Sequence, residues 1–379
     1  MMHFRLTLGR SRILAPLTVL AMLLLAALPG AAFATANTGG FYQQTNLVSD
    51  IAGVALFTDA NLKNPWGLSH SAASPWWISD NGTGLTTLYN GHGRKFPVTS
   101  PLVVTIARPG GSPAGTTAAP TGNVFNNSGG GFVVSENGNS GSSVFMFATE
   151  DGTISGWNPN VDLTHTILAV DRSAVGAGAV YKGLAIAGNS IYATNFRFGE
   201  VEQFDSNFNL VRSFTDNQLA NTCPLPGQCF APFGIQNIGG NLYVTFALQN
   251  AAKHDDEGGP GRGFVDVFDT NGNLLKRLIS RGALNSPWGL ALAPPNFGQF
   301  SNDLLVGNFG NGRINAFDPN TGALLGQLKN QKGLIISING LWGLAFGNGH
   351  AAGQTDELFF TAGINDEANG LFGKIQSEN

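Results

Sequence analysis

Four consecutive side chains, His254, Asp255, Asp256 and Glu257, stand inside a polar stretch that runs from Gln249 to Arg262. An imidazole beside carboxylates can ligate a metal ion or act as a general base. A solvated charged tip would read the same, so the stretch gains meaning only from where a fold puts it. A second set is Trp66, Lys182, Phe233, Trp288 and Trp342, with Thr121 in an equivalent place; each directly precedes a glycine of a recurring phrase. Aromatic faces beside a few polar groups suit a sugar ring or an apolar ligand. The alternative is that these rings pack between structural units. A third set is Asp80-Asn81, Glu136-Asn137, Asn195 with Arg197, Asn308 and Asn311, and Asn365-Asp366-Glu367. Singly such residues form turns. Gathered at one mouth they would offer oxygens to a hard cation such as Ca²⁺. His254, Asp255, Asp256, Asp80 and Glu136 are therefore the candidate metal ligands, and Ca²⁺ is the candidate ion.

Other routes to chemistry are absent from the sequence. His70, His92, His165 and His350 are scattered without ligand spacing, and GxSxG, HExxH and GxxxxGK[ST] do not occur. An active site assembled from distant loops would leave no such motif.

What must position these groups is a repeat. Pro65-Trp66-Gly67-Leu68, Pro287-Trp288-Gly289-Leu290 and Leu341-Trp342-Gly343-Leu344 are its strong copies. Thr121-Gly122-Asn123-Val124, Lys182-Gly183-Leu184 and Pro232-Phe233-Gly234-Ile235 are weaker ones. The glycines at 67, 122, 183, 234, 289 and 343 are 55, 61, 51, 55 and 54 residues apart. A period near fifty with β-rich units indicates propeller blades. In the fifth unit, Trp288 to Ala293, Asp303 to Gly307, Gly312 to Phe317 and Ala323 to Leu328 read as four short strands, with a hairpin turn at Asp318 to Gly322. The fourth and third units repeat that layout. The last unit lacks a fourth strand after Gly370 to Ile375, while Tyr42 to Val48 is an unpaired strand ahead of the first unit. The expected fold is all-β: a six-bladed β-propeller, four antiparallel strands per blade, closed by that N-terminal strand. Closure removes exposed edges, and a monomer is expected.

Arg5, Arg10 and Arg12, an apolar run from Ile13 to Leu28 and Ala32-Phe33-Ala34 read as a signal peptide cleaved after Ala34. Residues 35–379 then form the propeller domain and the protein is expected to be secreted. No later run is long enough to cross a membrane. Removing three arginines with the leader leaves 17 basic side chains against 24 acidic ones, a formal charge of −7. Such a chain lacks the basic face that nucleic acid demands. Only 12% of residues are charged and 52 are glycine, a composition that suits many tight turns. Cys223 and Cys229 read as a disulfide pinning one loop of an exported protein.

The repeat, with Pro-x-Gly-Leu-Ala opening one strand and Phe-Asp closing another, resembles NHL-type propeller repeats. Asn46-Leu47-Val48-Ser49-Asp50, Gly263-Phe264-Val265-Asp266-Val267-Phe268, Leu304-Leu305-Val306-Gly307-Asn308-Phe309-Gly310 and Gly370-Leu371-Phe372-Gly373 resemble an uncharacterised family of exported bacterial propeller proteins. Many of its members carry a PEP-CTERM sorting tail; the sequence ends at Asn379 without one. That resemblance implies no activity. Six-bladed propeller hydrolases and lactonases resemble the same architecture, and that resemblance implies Ca²⁺ held by acidic and Asn side chains at the channel. Here the equivalent ring is Trp, Thr, Lys and Phe. The expected function is a secreted binding module or scaffold that holds a small molecule, glycan or extracellular protein at the channel mouth. The alternative is a Ca²⁺-dependent hydrolase or lactonase.

Overall fold

Each of the six repeat glycines sits on an inner strand: Pro65–Ser69, Pro120–Phe125, Tyr181–Ala187, Phe230–Ile238, Pro287–Leu292 and Leu341–Phe346. These are strands a of blades 1 to 6 in the computed structural model, which describes residues 40–378. The leader and its cleavage point lie outside the described residues. Strands b, c and d follow outward, antiparallel throughout, in blades 1 to 5. Blade 6 borrows its outer strand. Phe41–Ser49 pairs antiparallel with Asn369–Glu378, in a register that sets Phe41 opposite Glu378 and Ser49 opposite Leu371. The short strand Phe57–Thr58 adds a fifth member to that sheet. The expected six blades and their closure are both present.

The glycine repeat has a steric cause. Neighbouring inner strands converge on the axis so closely that a Cβ on Gly289 would stand 2.6 Å from the Trp342 carbonyl oxygen, and one on Gly343 would stand 2.7 Å from that of Trp66. No real side chain tolerates that approach. Threonines bridge the same seam: Thr121 Oγ1 donates to Tyr181 O at 2.9 Å, and Thr194 Oγ1 to Phe233 O at 2.7 Å. Apolar side chains fill the wedges between sheets. One such cluster locks the borrowed strand in place, with Tyr42 against Phe297, Phe300, Phe360 and Ile375. The Tyr42 hydroxyl donates to Phe297 O at 3.0 Å and accepts from Phe300 N at 3.1 Å.

Among the described residues helix is scarce, as the pattern requires: one α-turn at Asn217–Ala220 and one 3₁₀ turn at Gly298–Phe300. Cys223 and Cys229 are joined. No helix among the described residues is long and apolar enough to cross a membrane.

One element departs from the expected layout. Val133–Glu136 and Asn139–Ser142 form a hairpin inserted between strands a and b of blade 2. Its turn, Asn137-Gly138, has φ of 50° and 83°, the geometry that Asn-Gly favours between two strands. Glu136 therefore does not lie in a b–c turn. The true b–c turn of blade 2 joins Phe145–Thr149 to Thr153–Trp157 and carries Glu150. An authentic hairpin signal in the sequence had a different hairpin as its source.

A candidate polar centre on the channel mouth

At the end of the channel where the b–c turns gather, the aromatic ring is a plug. Trp66, Phe233, Trp288 and Trp342 pack with Phe196 and Phe309 into one cluster. Trp66, Phe233 and Trp342 are at most 2% exposed, and Trp288 is 9% exposed. Trp66 stacks on Trp342 with ring centroids 3.5 Å apart, and Phe309 stacks on Trp342 at 4.0 Å. Trp288 meets both indoles edge-on. These faces are spent on one another, and packing accounts for them.

Lys182 is the exception in the ring. It is 1% exposed, and its Nζ lies 5.0 Å from the centre of Trp66, a cation–π placement. Glu150 Oε1 pairs directly with that ammonium, and Asp255 Oδ1 lies 3.2 Å from it. Burial opposes the charge on Lys182, but the two carboxylates outweigh burial and hold its pKa above the ordinary lysine value. His254 Nδ1 is 2.8 Å from the same Asp255 oxygen. That contact is the largest cause holding the Asp255 carboxyl well below the usual range; burial opposes it, and Lys182 adds to it.

The centre continues around the ring. Asn81 Nδ2 donates to Glu150 Oε2 at 2.8 Å, and Asn64 Nδ2 donates to Glu367 Oε2 at 2.7 Å and to Asn81 Oδ1 at 3.3 Å. Trp342 Nε1 donates to Asn64 Oδ1 at 3.1 Å, and Trp288 Nε1 to Lys182 O at 2.9 Å. Every blade thus supplies at least one member. Local backbone makes this reach possible. Asn365, Asp366 and Glu367 all have positive φ, at 56°, 52° and 65°, three costly conformations in a row that bring Glu367 to Asn64. Burial raises the Glu367 pKa, the Asn64 bond opposes that, and the Glu150 charge adds to the rise. In the 249–262 loop, Asn250 Oδ1 accepts from His254 N at 3.0 Å and Asp255 O accepts from Asn250 N at 2.7 Å. The loop is a folded turn over the plug, with His254 38% and Asp255 60% exposed.

The other candidate residues go elsewhere. Asp80 is fully buried within blade 1, where Thr87 Oγ1 donates to its Oδ2 at 2.8 Å. Burial drives its pKa well above the ordinary value. Asp256, by contrast, stays beside the polar centre: burial raises its pKa, and the Lys182 charge opposes that rise. Asn195 and Asn308 are spent on structural bonds, Asn195 Nδ2 donating to Glu202 Oε1 on the next strand at 2.9 Å and Asn308 Nδ2 to Ala283 O, in the link between blades 4 and 5, at 2.8 Å. Arg197 Nη1 donates to Ala177 O at 2.6 Å. Glu150, His254 and Asp255 form the one group, among the described residues, whose ligand atoms lie close enough for a metal, within 4.8 Å of one another. That set does not fit Ca²⁺. The ion takes six to eight oxygens, whereas this set includes an imidazole, and the Lys182 ammonium already sits among its oxygens.

Glu150 was the residue missed from sequence. Thr149-Glu150-Asp151-Gly152-Thr153 carries a sound Asp-Gly hairpin signal, but the Asn137-Gly138 turn masked its place in the blade.

The chain is 35% identical to Uncharacterized protein R648 of Acanthamoeba polyphaga mimivirus over 334 residues, covering 87% of this chain and 78% of that one. It is 34% identical to Uncharacterized protein L690 of the same virus over 336 residues, covering 87% and 84%. The chain belongs to the family of these viral proteins. No protein-family model matches it. Among solved structures, a putative gluconolactonase shares the fold at a TM-score of 0.51 and 12% identity, covering 90% of this chain and 93% of that one. A virginiamycin B lyase from Staphylococcus aureus aligns at a TM-score of 0.49 and 13% identity, over 88% and 98%. At such identities the likeness concerns architecture alone.

Proposed function

We propose that the protein is a binding module. Its channel mouth holds a polar small molecule, a glycan or a protein segment against the exposed edge formed by His254 and Asp255. One observation carries this reading: a polar chain drawn from all six blades converges on Lys182 and reaches solvent at those two side chains. A buried ammonium held by two carboxylates is costly to assemble, and packing alone would have been served by an apolar side chain at position 182. The aromatic plug is the rigid floor. Ligand contact through ring faces is not part of this reading, because the faces are covered.

The competing reading is a metal-dependent hydrolase. The proximity of Glu150, His254 and Asp255 favours it, and the ammonium among them opposes it. Export is proposed as well, on the basic start and apolar run of residues 1–34; N-terminal sequencing of protein recovered from the medium or envelope tests it, with a start at Thr35 expected.

The test of function is a glycan array and a thermal-shift library of polar metabolites. Each hit is re-measured on His254→Ala and Asp255→Asn. Hits that weaken at least tenfold in both variants, with unchanged far-ultraviolet circular dichroism, support the mouth as the site. Hits that survive both place binding elsewhere. Hydrolysis of ester or lactone substrates that depends on added Ca²⁺ would favour the competing reading.

A further inference from the structure

Eight asparagines in this chain are followed directly by glycine. Such a pair can rearrange without an enzyme, because glycine has no Cβ to shield its own nitrogen from the neighbouring carboxamide. The attack needs a free glycine N–H and a free side-chain amide, and the fold withholds them at seven of the eight pairs. The nitrogens of Gly82, Gly91, Gly272, Gly312 and Gly349 donate to main-chain carbonyls at between 2.8 and 3.1 Å, and that of Gly370 donates to Asp50 Oδ1 at 2.9 Å. Gly340 is wedged instead: a Cβ there would stand 2.0 Å from Gly363 O, and Asn339 Oδ1 accepts from Asn365 N at 3.1 Å. Asn137-Gly138, the turn of the hairpin inserted in blade 2, is left. Among the described residues neither the exposed Asn137 side chain nor the Gly138 nitrogen has a hydrogen-bond partner, and a Cβ on Gly138 would meet nothing within 4 Å. We propose that Asn137 is a spontaneous modification site, at which the turn converts to aspartate and isoaspartate.

The attack also needs the turn to leave its left-handed backbone, and the hairpin is built to allow that. It is a two-stranded sheet of its own, with four register pairs from Val133 opposite Ser142 to Glu136 opposite Asn139. Of its strand residues only Val134 is buried. Two strands alone are marginal in water, so local opening of this element lies at the cheap end of the range.

The chemistry closes with water as the one co-reactant. The Gly138 nitrogen, relieved of its proton by water or hydroxide, attacks Asn137 Cγ. The N–Cγ bond forms, the Cγ–Nδ2 bond breaks and ammonia leaves, closing a succinimide ring. Water then opens the ring on either side. Attack at Cγ restores the main chain with aspartate; attack at the α-carbonyl leaves the chain running through Cγ as isoaspartate. The net reaction consumes one water and releases one ammonia, and nothing is oxidised or reduced. Aspartate before glycine still suits the turn and adds a charge beside Glu136. Isoaspartate adds a methylene to the main chain of a two-residue loop whose twist is matched to its strands, so that product opens the hairpin.

The experiment incubates the folded protein in mildly alkaline buffer and maps its peptides by mass spectrometry, with electron-transfer fragmentation to separate aspartate from isoaspartate. A parallel sample is held unfolded in urea. In the folded protein, conversion at Asn137 is expected to run about tenfold faster than at any other Asn-Gly pair, which corresponds to about 1.4 kcal/mol of protection at the others. In urea that preference should vanish, because only the fold distinguishes the pairs. Asn137→Gly, which keeps a turn sequence the hairpin accepts, should melt like the parent and lose the early release of ammonia. The proposal is overturned if another Asn-Gly pair converts as fast as Asn137 in the folded protein. It is overturned equally if Asn137 stays intact while the urea sample converts, or if Asn137→Gly releases ammonia as the parent does.

Discussion

Trp66 and Trp342 come from the first and last blades, yet their rings lie 3.5 Å apart, centroid to centroid, with planes 19° apart. The stack joins the inner strands of blades 6 and 1, which are neighbours in the ring, and forms the centre of the plug. Replacing Trp66 by Ala should therefore act on stability before it acts on any ligand. The expected loss is about 3–5 kcal/mol, the usual cost of a large aromatic removed from a packed site, read from urea denaturation. A loss below about 1 kcal/mol would mean the ring packs loosely and its face is available.

Lys182 should be tied to its carboxylates by more than proximity. Lys182→Met leaves Glu150 and Asp255 facing one another without compensation, and a destabilisation of about 3–5 kcal/mol is expected at neutral pH. Adding Glu150→Gln should restore a good part of it. A double-mutant cycle measures the coupling directly; additive losses would show that the ammonium and Glu150 do not sense each other.

Asp266 gives a pH signature. It is fully buried on strand c of blade 4, beside Asp216, with Arg277 Nε 3.3 Å away. Burial first, and then Asp216, push its pKa up to about 8, against the pull of Arg277. Between the ordinary Asp value of 3.8 and about 8 the folded chain binds more protons than the unfolded one. Stability must then fall as pH rises through that window, by at most about 1.4 kcal/mol per unit, and level off above it. Asp266→Asn should remove this slope. Unfolding free energies measured from pH about 5 to about 9 in both proteins decide the matter; identical slopes would refute the assignment.

The borrowed strand should be indispensable. Deleting residues 41–49 leaves Asn369–Glu378 as a long open edge and removes Tyr42 from its cluster. Aggregation or a large fall in melting temperature is expected. A shortened protein that melts like the parent would show that blade 6 is stable with three strands.

The cysteine pair should matter only locally. It closes a short loop, so replacing both residues by Ser is expected to cost about 2 kcal/mol at most. Thiol titration of the denatured, unreduced protein should find none free.

The propeller was legible from sequence because its signal is steric and repeated. The closeness of inner strands forces glycine at one position per blade, and the hairpin turns carry their own residue preferences. The missing last strand and the spare first one completed the count. The polar centre was legible only in part. Lys182, His254 and Asp255 announce themselves by position or by clustering, but their mutual contacts depend on which blade's loop faces which. Glu150 sits in an unremarkable Glu-Asp-Gly turn, and one inserted hairpin was enough to hide its place. The aromatic positions were found correctly as a ring around the axis. Whether such a ring stays open or collapses into a plug depends on rotamers and on partners such as Phe196 and Phe309, which follow strand b in blades 3 and 5 and lie outside the glycine phrase.

The pairing of Phe41 with Glu378 makes the order of the blades along the chain arbitrary as far as the folded ring is concerned. A short linker joining those neighbouring positions, with new termini cut at an exposed turn such as the one following Asp318, would convert the splice in blade 6 into a continuous hairpin and move the seam to blade 5. The six units could then be read from a different starting point, with the same channel at their centre.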